Sequence, residues 1–183
     1  MRPLLPLVLL FLCSCDDKPA AAPASPAPPP AAELVNTPGF SGHNAYLHCA
    51  EICKLGPRYS GSVAYEKQLQ YLEKHLHAAG WQTALDSFHA PNGVKMCNLR
   101  AFRSATPAPL MLSCHIDTKI NIAPDFQSAD DGASGAAVLL ELARVLPDAP
   151  VELIFLDGEE AFARHMSETD GLYGSRHDVA RRG

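Results

Sequence analysis

The sequence predicts an α/β fold of three layers, αβα, with a mostly parallel central sheet and an antiparallel edge hairpin. Residues 151–156 are almost wholly apolar, which is typical of a strand buried on both faces of a parallel sheet. From residue 110 onward the patterns alternate strand, helix, strand and helix, as in a parallel α/β unit. With 183 residues, 47% of them hydrophobic, the chain is long enough for one such domain and a tail.

The chain begins with a targeting segment. Residues 4–12 are apolar, too short to span a bilayer but suited to the core of a signal peptide. They end in Leu-Cys-Ser-Cys, which resembles a bacterial lipobox with Cys15 as the lipidated residue. An ordinary secretory signal with an incidental Cys15 is the alternative. Residues 1–15 are therefore predicted to be a lipoprotein signal peptide, which places the protein in a bacterial cell envelope, lipid-anchored and facing the periplasm or exterior.

Residues 16–38 are rich in proline and alanine, and such a composition predicts a linker off the membrane surface. The folded domain is then expected over residues 39–183. The net charge of −5 and a pI near 5.9 argue against a nucleic-acid partner.

Local patterns predict the elements of the domain in order. Apolar residues at helical spacing predict helices at 44–54 and after Ser60-Gly61-Ser62, ended by Gly56-Pro57 and by Gly80. The remaining predicted elements are strands at 81–88, 95–103 and 110–115, a helix at about 132–146, a strand at 151–157 and a helix from about residue 174. The turn at 91–93 joins the first two strands into a hairpin.

Four cysteines follow the leader: Cys49, Cys53, Cys97 and Cys114. An extracytoplasmic address permits disulfides, and four cysteines allow three pairings. Cys49 and Cys53 lie four residues apart on a predicted helix and could equally be buried thiols.

Acidic residues and one histidine follow the predicted strands. The His-x-Asp pair at His115 and Asp117 leaves one strand, Asp130-Asp131 leads into the next helix, and Glu159-Glu160 follows the next strand. Each motif alone is weak, since Asp-Asp-Gly is also a common turn or helix cap. Together they are expected at one edge of the sheet, where open α/β sheets carry their active sites. Carboxylate ligands with a spare carboxylate beside them suit a zinc ion and a general base, which predicts a zinc hydrolase or acyltransferase.

Longer stretches make the chain similar to zinc-dependent aminopeptidases (metallopeptidase family 28) and, within that superfamily, to glutaminyl-peptide cyclotransferases. The resemblance runs from about Phe40 to the last residues and covers only the N-terminal part of that family's catalytic domain. It is carried by Leu55-Gly-Pro-Arg-Tyr-Ser-Gly-Ser62, Cys114-His-Ile-Asp-Thr-Lys119, Ser128-Ala-Asp-Asp131, Asp157-Gly-Glu-Glu-Ala-Phe162 and Leu172-Tyr-Gly-Ser-Arg-His177. The last two resemble the cyclotransferase branch specifically.

The resemblance implies a role for each matched residue. Asp131 and Glu160 would be ligands of one zinc ion, and Glu159 would be the catalytic base and acid. His115 and Asp117 match the His-x-Asp that binds a second metal in dinuclear aminopeptidases, whereas in cyclotransferases the histidine is not a zinc ligand. The position that matches the disulfide partner of Cys114 in some animal cyclotransferases is Ala136, so Cys114 is expected to be unpaired.

The resemblance also implies a third zinc ligand, a histidine, from a part of the family's sequence beyond Gly183. Three hypotheses follow. The first is a glutaminyl-peptide cyclotransferase, which forms pyroglutamate from N-terminal glutamine with release of ammonia and acts on peptide or protein N-termini. The second is a zinc aminopeptidase with two zinc ions. The third is a truncated, catalytically inert lipoprotein fragment, for which the 183-residue chain would bind no zinc tightly.

Overall fold

The structure is a computed structural model that describes residues 39–104, 108–146 and 148–183. The predicted signal peptide with Cys15 and the predicted linker at 16–38 lie outside the described residues. In the part that is described, no helix is both long and apolar enough to cross a membrane.

The helices and strands follow the order that the sequence patterns predict. They are α1 (Gly42–Cys53), α2 (Val63–Ala78), β1 (Gln82–His89), β2 (Lys95–Phe102), β3 (Leu110–His115), α3 (Gly135–Val145), β4 (Val151–Leu156) and α4 (Tyr173–Arg182). One element was not predicted: a π-helical turn at Ala129–Ser134, which leads directly into α3. It occupies the start of the helix that was expected from about residue 132.

The sheet has four strands in the order β1-β2-β4-β3, so β4 lies in the middle, as its apolar sequence predicts. β3 pairs with β4 in parallel, whereas β1 with β2 and β2 with β4 are antiparallel. The α/β class is confirmed, and the sheet is mixed. Among the described strands only one pair is parallel, because β2 of the predicted edge hairpin pairs directly with β4 rather than with another parallel strand.

Side chains alternate between the two faces of the sheet and define the outer layers. On one face, Leu99 of β2 and Phe155 of β4 belong to the hydrophobic core that α1, α2 and α3 complete. On the other face, the Nδ2 atom of Asn98 donates a hydrogen bond of 2.9 Å to the carbonyl oxygen of Gly174 in α4. Glu152 of β4 also pairs with Arg182 of α4, at 3.0 Å. Helices therefore cover both faces, and the predicted three layers are confirmed.

Local capping explains where the first two helices begin. The hydroxyl oxygen of Ser41 accepts a hydrogen bond of 3.2 Å from the amide of Asn44, and that of Ser62 accepts one of 3.0 Å from Tyr65. Serine is a favoured N-cap because its side chain satisfies an amide that has no partner within the helix. After α2 ends, the indole of Trp81 donates to the carbonyl of Ala143 at 2.8 Å and fixes α2 against α3.

The four cysteines of the described domain are all free thiols. Cys114 packs against Gly135, where an added Cβ would lie 2.9 Å from the Cβ of Cys114. The expectation that Cys114 is unpaired agrees with this arrangement. Cys49 donates a hydrogen bond of 3.4 Å to the carbonyl of Ala129, so α1 contacts the π-helical turn.

Candidate active site

The parallel pairing of β3 with β4 brings the predicted site residues together. His115, the last residue of β3, is paired with Leu156, the last residue of β4. The segments that follow the two strands therefore leave the sheet at the same edge, as in other open α/β sheets. His115 and Asp117 lie on one of these segments, and Glu159 and Glu160 lie on the other.

The carboxylate of Asp117 is buried between the two segments, with 1% of its surface exposed. Its Oδ1 atom accepts a hydrogen bond of 3.0 Å from the amide of Glu159, and its Oδ2 atom accepts one of 3.1 Å from the amide of Glu160. An ionised carboxylate that accepts backbone amides makes strong, charge-assisted hydrogen bonds. Asp117 therefore fixes the backbone of both glutamates.

The backbone of the same turn is held from its other side by the start of α4. The amides of Leu172, Tyr173 and Gly174 donate to the carbonyl oxygens of Glu159, Gly158 and Asp157 at 2.9, 2.8 and 2.9 Å. The carbonyl groups of residues 157–159 thus have partners, as do the amides of Glu159 and Glu160. Such fixed backbone is what a positioned catalytic side chain requires.

His115 joins Asp131 to the site. Its Nε2 atom donates a hydrogen bond of 2.8 Å to the Oδ1 atom of Asp131, and its Nδ1 atom lies 3.5 Å from Asp117 Oδ1. Burial lowers the pKa of His115, but the nearby carboxylates of Asp117 and Asp131 outweigh burial and raise the pKa to about 9. In the absence of a metal, an imidazolium at this position would partly compensate the surrounding acidic groups.

Asp131 reaches His115 because the π-helical turn is broken at this residue. The backbone of Asp131 is extended rather than helical, and Gly132 has a φ of +100°. A Cβ at position 132 would lie 3.0 Å from the carbonyl oxygen of Asp117, so both the backbone conformation and the close approach favour glycine. The Asp-Asp-Gly motif is therefore neither a helix cap nor an ordinary surface turn.

Glu160 lies partly buried beside Lys119, whose Nζ atom is 3.7 Å from Glu160 Oε2. Burial raises the pKa of Glu160, and the charge of Asp131 raises it further, while Lys119 opposes the change. A carboxylate whose pKa is raised by a neighbouring negative charge lies in a field that favours a cation. This coupling also shows that Asp131 and Glu160, from separate segments, share one electrostatic environment.

The described residues fit a zinc site only in part. A catalytic zinc ion takes three protein ligands and keeps one open position. Asp131 and Glu160 offer oxygen ligands at the same edge of the sheet. Among the described residues, however, no group of three His, Cys, Asp or Glu side chains is arranged to hold a metal. The described residues therefore offer two candidate ligands, and a catalytic zinc site would need at least one more.

Two carboxylates that hold the backbone around the candidate site had no assigned role from the sequence. Asp157 is fully buried, and its oxygens accept hydrogen bonds from the hydroxyl of Ser60 at 2.6 Å and the amide of Cys97 at 2.8 Å. Burial raises the pKa of Asp157 to about 7, although the hydrogen bond from Ser60 opposes the shift. Its position directly after an apolar strand was the available signal.

Asp170 is the second, and it holds the loop after Glu160. Its two oxygens accept the amides of Phe162 and Ala163, each at 2.8 Å, and the hydroxyl of Tyr173 donates to it at 2.8 Å. These three hydrogen bonds tie the start and the end of this loop together. No local pattern in the sequence signals this contact.

Comparison with known proteins places the site in a family context. Residues 99–182, which include all five predicted site residues of the domain, match the profile of Peptidase family M28. The glutaminyl-peptide cyclotransferase of Drosophila melanogaster is 33% identical over 154 residues, which cover 75% of this chain and 43% of that protein. The chain thus spans less than half the length of this curated relative.

Solved structures give the same result for the fold. The glutaminyl cyclase of Fimbriiglobus ruber has a TM-score of 0.68 at 26% identity, covering 85% of this chain and 59% of that one. A leucine aminopeptidase precursor from Bacteroides thetaiotaomicron has a TM-score of 0.66 at 24% identity, covering 79% and 58%. The second similarity bears on the fold alone.

Proposed function

We propose, from the premise that this chain carries a Peptidase family M28 domain related to glutaminyl-peptide cyclotransferases, that the complete protein is a glutaminyl cyclase. The observation that supports this most directly is the fixed Glu159-Glu160 turn, held by Asp117 on one side and by the start of α4 on the other. The curated relative named above is a glutaminyl-peptide cyclotransferase, and the proposed substrate is accordingly the N-terminus of a peptide or protein.

The reaction is an intramolecular acyl transfer. The α-amine nitrogen of an N-terminal glutamine attacks the δ-carbon of its own side chain and forms the lactam C–N bond. The bond from that carbon to the side-chain nitrogen breaks, and ammonia leaves with the proton that the amine gives up. Because nucleophile and electrophile belong to one molecule, the protein needs to position and protonate rather than to supply a second reactant.

Glu159 is assigned the proton transfer. Its backbone is fixed by the amide hydrogen bond to Asp117 and the carbonyl hydrogen bond from Leu172. A carboxylate so placed takes the proton from the attacking amine and delivers it to the leaving nitrogen, a role that is worth roughly 10²–10⁴-fold in rate.

Asp131 and Glu160 are assigned to hold zinc, together with a third ligand that the described residues do not supply. When bound, zinc supplies Lewis acidity toward the side-chain carbonyl of the substrate. The hydrogen bond from His115 orients Asp131, in the manner of partners that support metal ligands elsewhere.

A zinc aminopeptidase is the second candidate, and the His115-x-Asp117 motif favours it by pattern. The contacts of these side chains weigh against it. His115 Nε2 is bonded to Asp131, and both oxygens of Asp117 accept backbone amides. A second metal ion bound to His115 Nε2 would have to displace the hydrogen bond from that atom to Asp131, which favours a site for one zinc ion.

Two substrates distinguish the candidates. The complete protein is expected to convert a peptide with N-terminal glutamine to its pyroglutamyl form with equimolar ammonia, measured by mass spectrometry and an ammonia assay. It is expected to leave leucine-p-nitroanilide intact. Release of nitroaniline without any cyclised peptide would support the aminopeptidase instead, and activity on neither substrate would leave the inert lipoprotein.

We propose in addition that the protein is a lipoprotein anchored through Cys15 in a bacterial cell envelope. The support is the apolar segment at 4–12 and the lipobox-like sequence that ends at Cys15. Acyl chains contribute about 0.8 kcal/mol per buried CH₂, so several chains hold a protein firmly on a membrane. The protein with Cys15 intact is expected in the membrane fraction, and the Cys15→Ala variant is expected in the soluble fraction. Equal fractionation of the two would contradict the anchor.

A further inference from the structure

Arg58 is fully buried, yet its guanidinium contacts backbone carbonyl groups rather than a carboxylate. Its Nη1 atom donates to the carbonyl of Gly56 at 2.9 Å. Its Nη2 atom donates to the carbonyls of Gln127 and Ser128, at 2.8 and 3.4 Å. The carbonyl oxygen of Arg58 itself accepts the amide of Thr118 at 3.2 Å. None of the ion pairs in the described part of the chain includes Arg58.

These contacts join two parts of the connection between β3 and α3, the residue after Asp117 and the residues before Asp131. Thr118 directly follows Asp117, which fixes the Glu159-Glu160 turn. Ser128 lies three residues before Asp131 and directly precedes the π-helical turn. Its φ of +50° is one that residues other than glycine rarely adopt. Its carbonyl oxygen also accepts the amide of Ala133 at 3.3 Å. Arg58 therefore connects the exit of β3 to the loop that delivers Asp131.

The guanidinium group suits this connection for a geometric reason. It is planar, and its nitrogens can donate in different directions at once, whereas a lysine has a single nitrogen on a flexible stem. A buried positive charge is also expensive unless it is hydrogen-bonded. Burial lowers the pKa of Arg58, and the nearby Cys53, Cys49 and Asp117 act in the opposite direction. A smaller apolar residue would fill this part of the core without the cost of burying a charge. The guanidinium group of Arg58 therefore has a role other than packing.

We propose that Arg58 is a positioning residue that sets the distance between Asp117 and Asp131, and hence the geometry of the metal site. It acts through the backbone at Thr118 and Ser128 and touches neither substrate nor metal. The effect on metal binding rests on the proposed function. The hydrogen bonds by which Arg58 joins Thr118 to the loop before Asp131 do not depend on that proposal.

Arg58→Lys in the complete protein separates positioning from stability. The variant keeps the positive charge, but its single nitrogen cannot replace both Nη1 and Nη2 of the guanidinium group. Its zinc affinity, measured by competition with a chelator, is expected to fall by about tenfold, the lower range for residues that support metal ligands. The amides of Thr118 and Ala133 are expected to exchange with solvent faster than in the unmodified protein.

Arg103→Lys is the matched control. Arg103 also donates to two backbone carbonyls, those of Ala79 and Gly80, but at the end of α2 and away from the site. It should keep zinc affinity and the exchange of Thr118 and Ala133 unchanged. A second control is Leu72→Ala in the core, which lowers stability without touching the contacts of Arg58. It is compared with Arg58→Lys at temperatures where the two variants have equal folded fractions, so that any remaining difference is not due to stability. If Arg58→Lys does not fold, Arg58→Gln replaces it.

The proposal would be overturned if Arg58→Lys matched the controls both in zinc affinity and in amide hydrogen exchange at Thr118 and Ala133. Should the unmodified protein bind no zinc, the proposed function fails, and exchange at Thr118 and Ala133 decides the connection by itself. Faster exchange at both amides then supports it, and unchanged exchange refutes it.

Discussion

Asp117 shows how a residue with a correctly predicted location can have a contact that the sequence does not reveal. Its position after β3 predicts that it lies at the same edge of the sheet as Glu159 and Glu160, and it does. Its oxygens accept the amides of Glu159 and Glu160, which are more than forty residues away in the chain. Those amides face Asp117 only because β3 and β4 pair in parallel. Pattern matching therefore identifies the acid, and the pairing of the strands determines what it binds.

Asp157 allows a test at the same scale through its pKa of about 7. An unfolded aspartate has a pKa near 3.9, so between about pH 4 and pH 7 the folded protein keeps a proton that the unfolded chain loses. Asp157 therefore makes the free energy of unfolding fall as pH rises through this window. Asp157→Asn should remove that contribution, so the variant gains stability relative to the unmodified protein from pH 4 to pH 7, by roughly 3–5 kcal/mol.

Denaturant unfolding of the metal-free protein across this pH range measures the difference. Asparagine can keep both contacts, since its oxygen can accept the Cys97 amide and its nitrogen can donate to the Ser60 hydroxyl. Ser60→Ala is the matched control, because it keeps the carboxyl group and removes a donor that opposes the shift. That variant should extend the pH dependence to higher pH. If the difference in the free energy of unfolding between Asp157→Asn and the unmodified protein did not change from pH 4 to pH 7, Asp157 would be ionised throughout this range.

At the scale of elements, the contact between α4 and the turn at 157–160 depends on the absence of a side chain. A Cβ on Gly174 would lie 2.2 Å from the carbonyl oxygen of Asp157 and 2.5 Å from Asn98 Oδ1. The helix can approach the turn closely enough for its first amides to donate to Asp157, Gly158 and Glu159 only because glycine occupies this position.

Gly174→Ala is therefore expected to destabilise the protein by about 3 kcal/mol or more, since the obstructing atoms are buried and one is backbone. Denaturant unfolding measures the loss, and turnover should fall as well, because α4 must move off the Glu159 turn. Gly183→Ala, at the other end of α4, is the control, since its nearest atom would be 3.5 Å away. Equal stability of the two variants would show that α4 does not depend on the close approach.

The elements themselves could be predicted from the sequence because their signals are local. The apolar spacing of Leu69, Leu72 and Leu76 predicts α2, and the apolar run at 151–156 predicts a central strand; all are buried or nearly so. The π-helical turn at Ala129–Ser134 could not be predicted, since its break at Asp131 and Gly132 is stabilised by contacts with β3 and Arg58. The order of the strands was not predicted, for the same reason: pairing between distant segments has no local signal.

At the scale of the whole molecule, the candidate zinc ligands come from segments that meet only in the folded sheet. Asp131 lies between β3 and α3, and Glu160 follows β4. The unfolded chain does not hold the two together, so an ion that binds both binds the folded state preferentially. Such an ion stabilises folding by about 4 kcal/mol at a thousandfold excess over its dissociation constant.

Zinc is therefore expected to raise the unfolding midpoint of the complete protein, and a chelator to lower it. Glu159→Gln should keep this stabilisation and the zinc content while abolishing turnover, because it removes a proton carrier but no ligand. Asp131→Ala and Glu160→Ala should each lose most of both, because each removes a ligand. Calorimetry with and without zinc, together with metal analysis, measures the four proteins. Equal loss in all three variants would mean that the roles of Glu159 and Glu160 are assigned wrongly, and stabilisation that survives in Asp131→Ala would place the metal elsewhere.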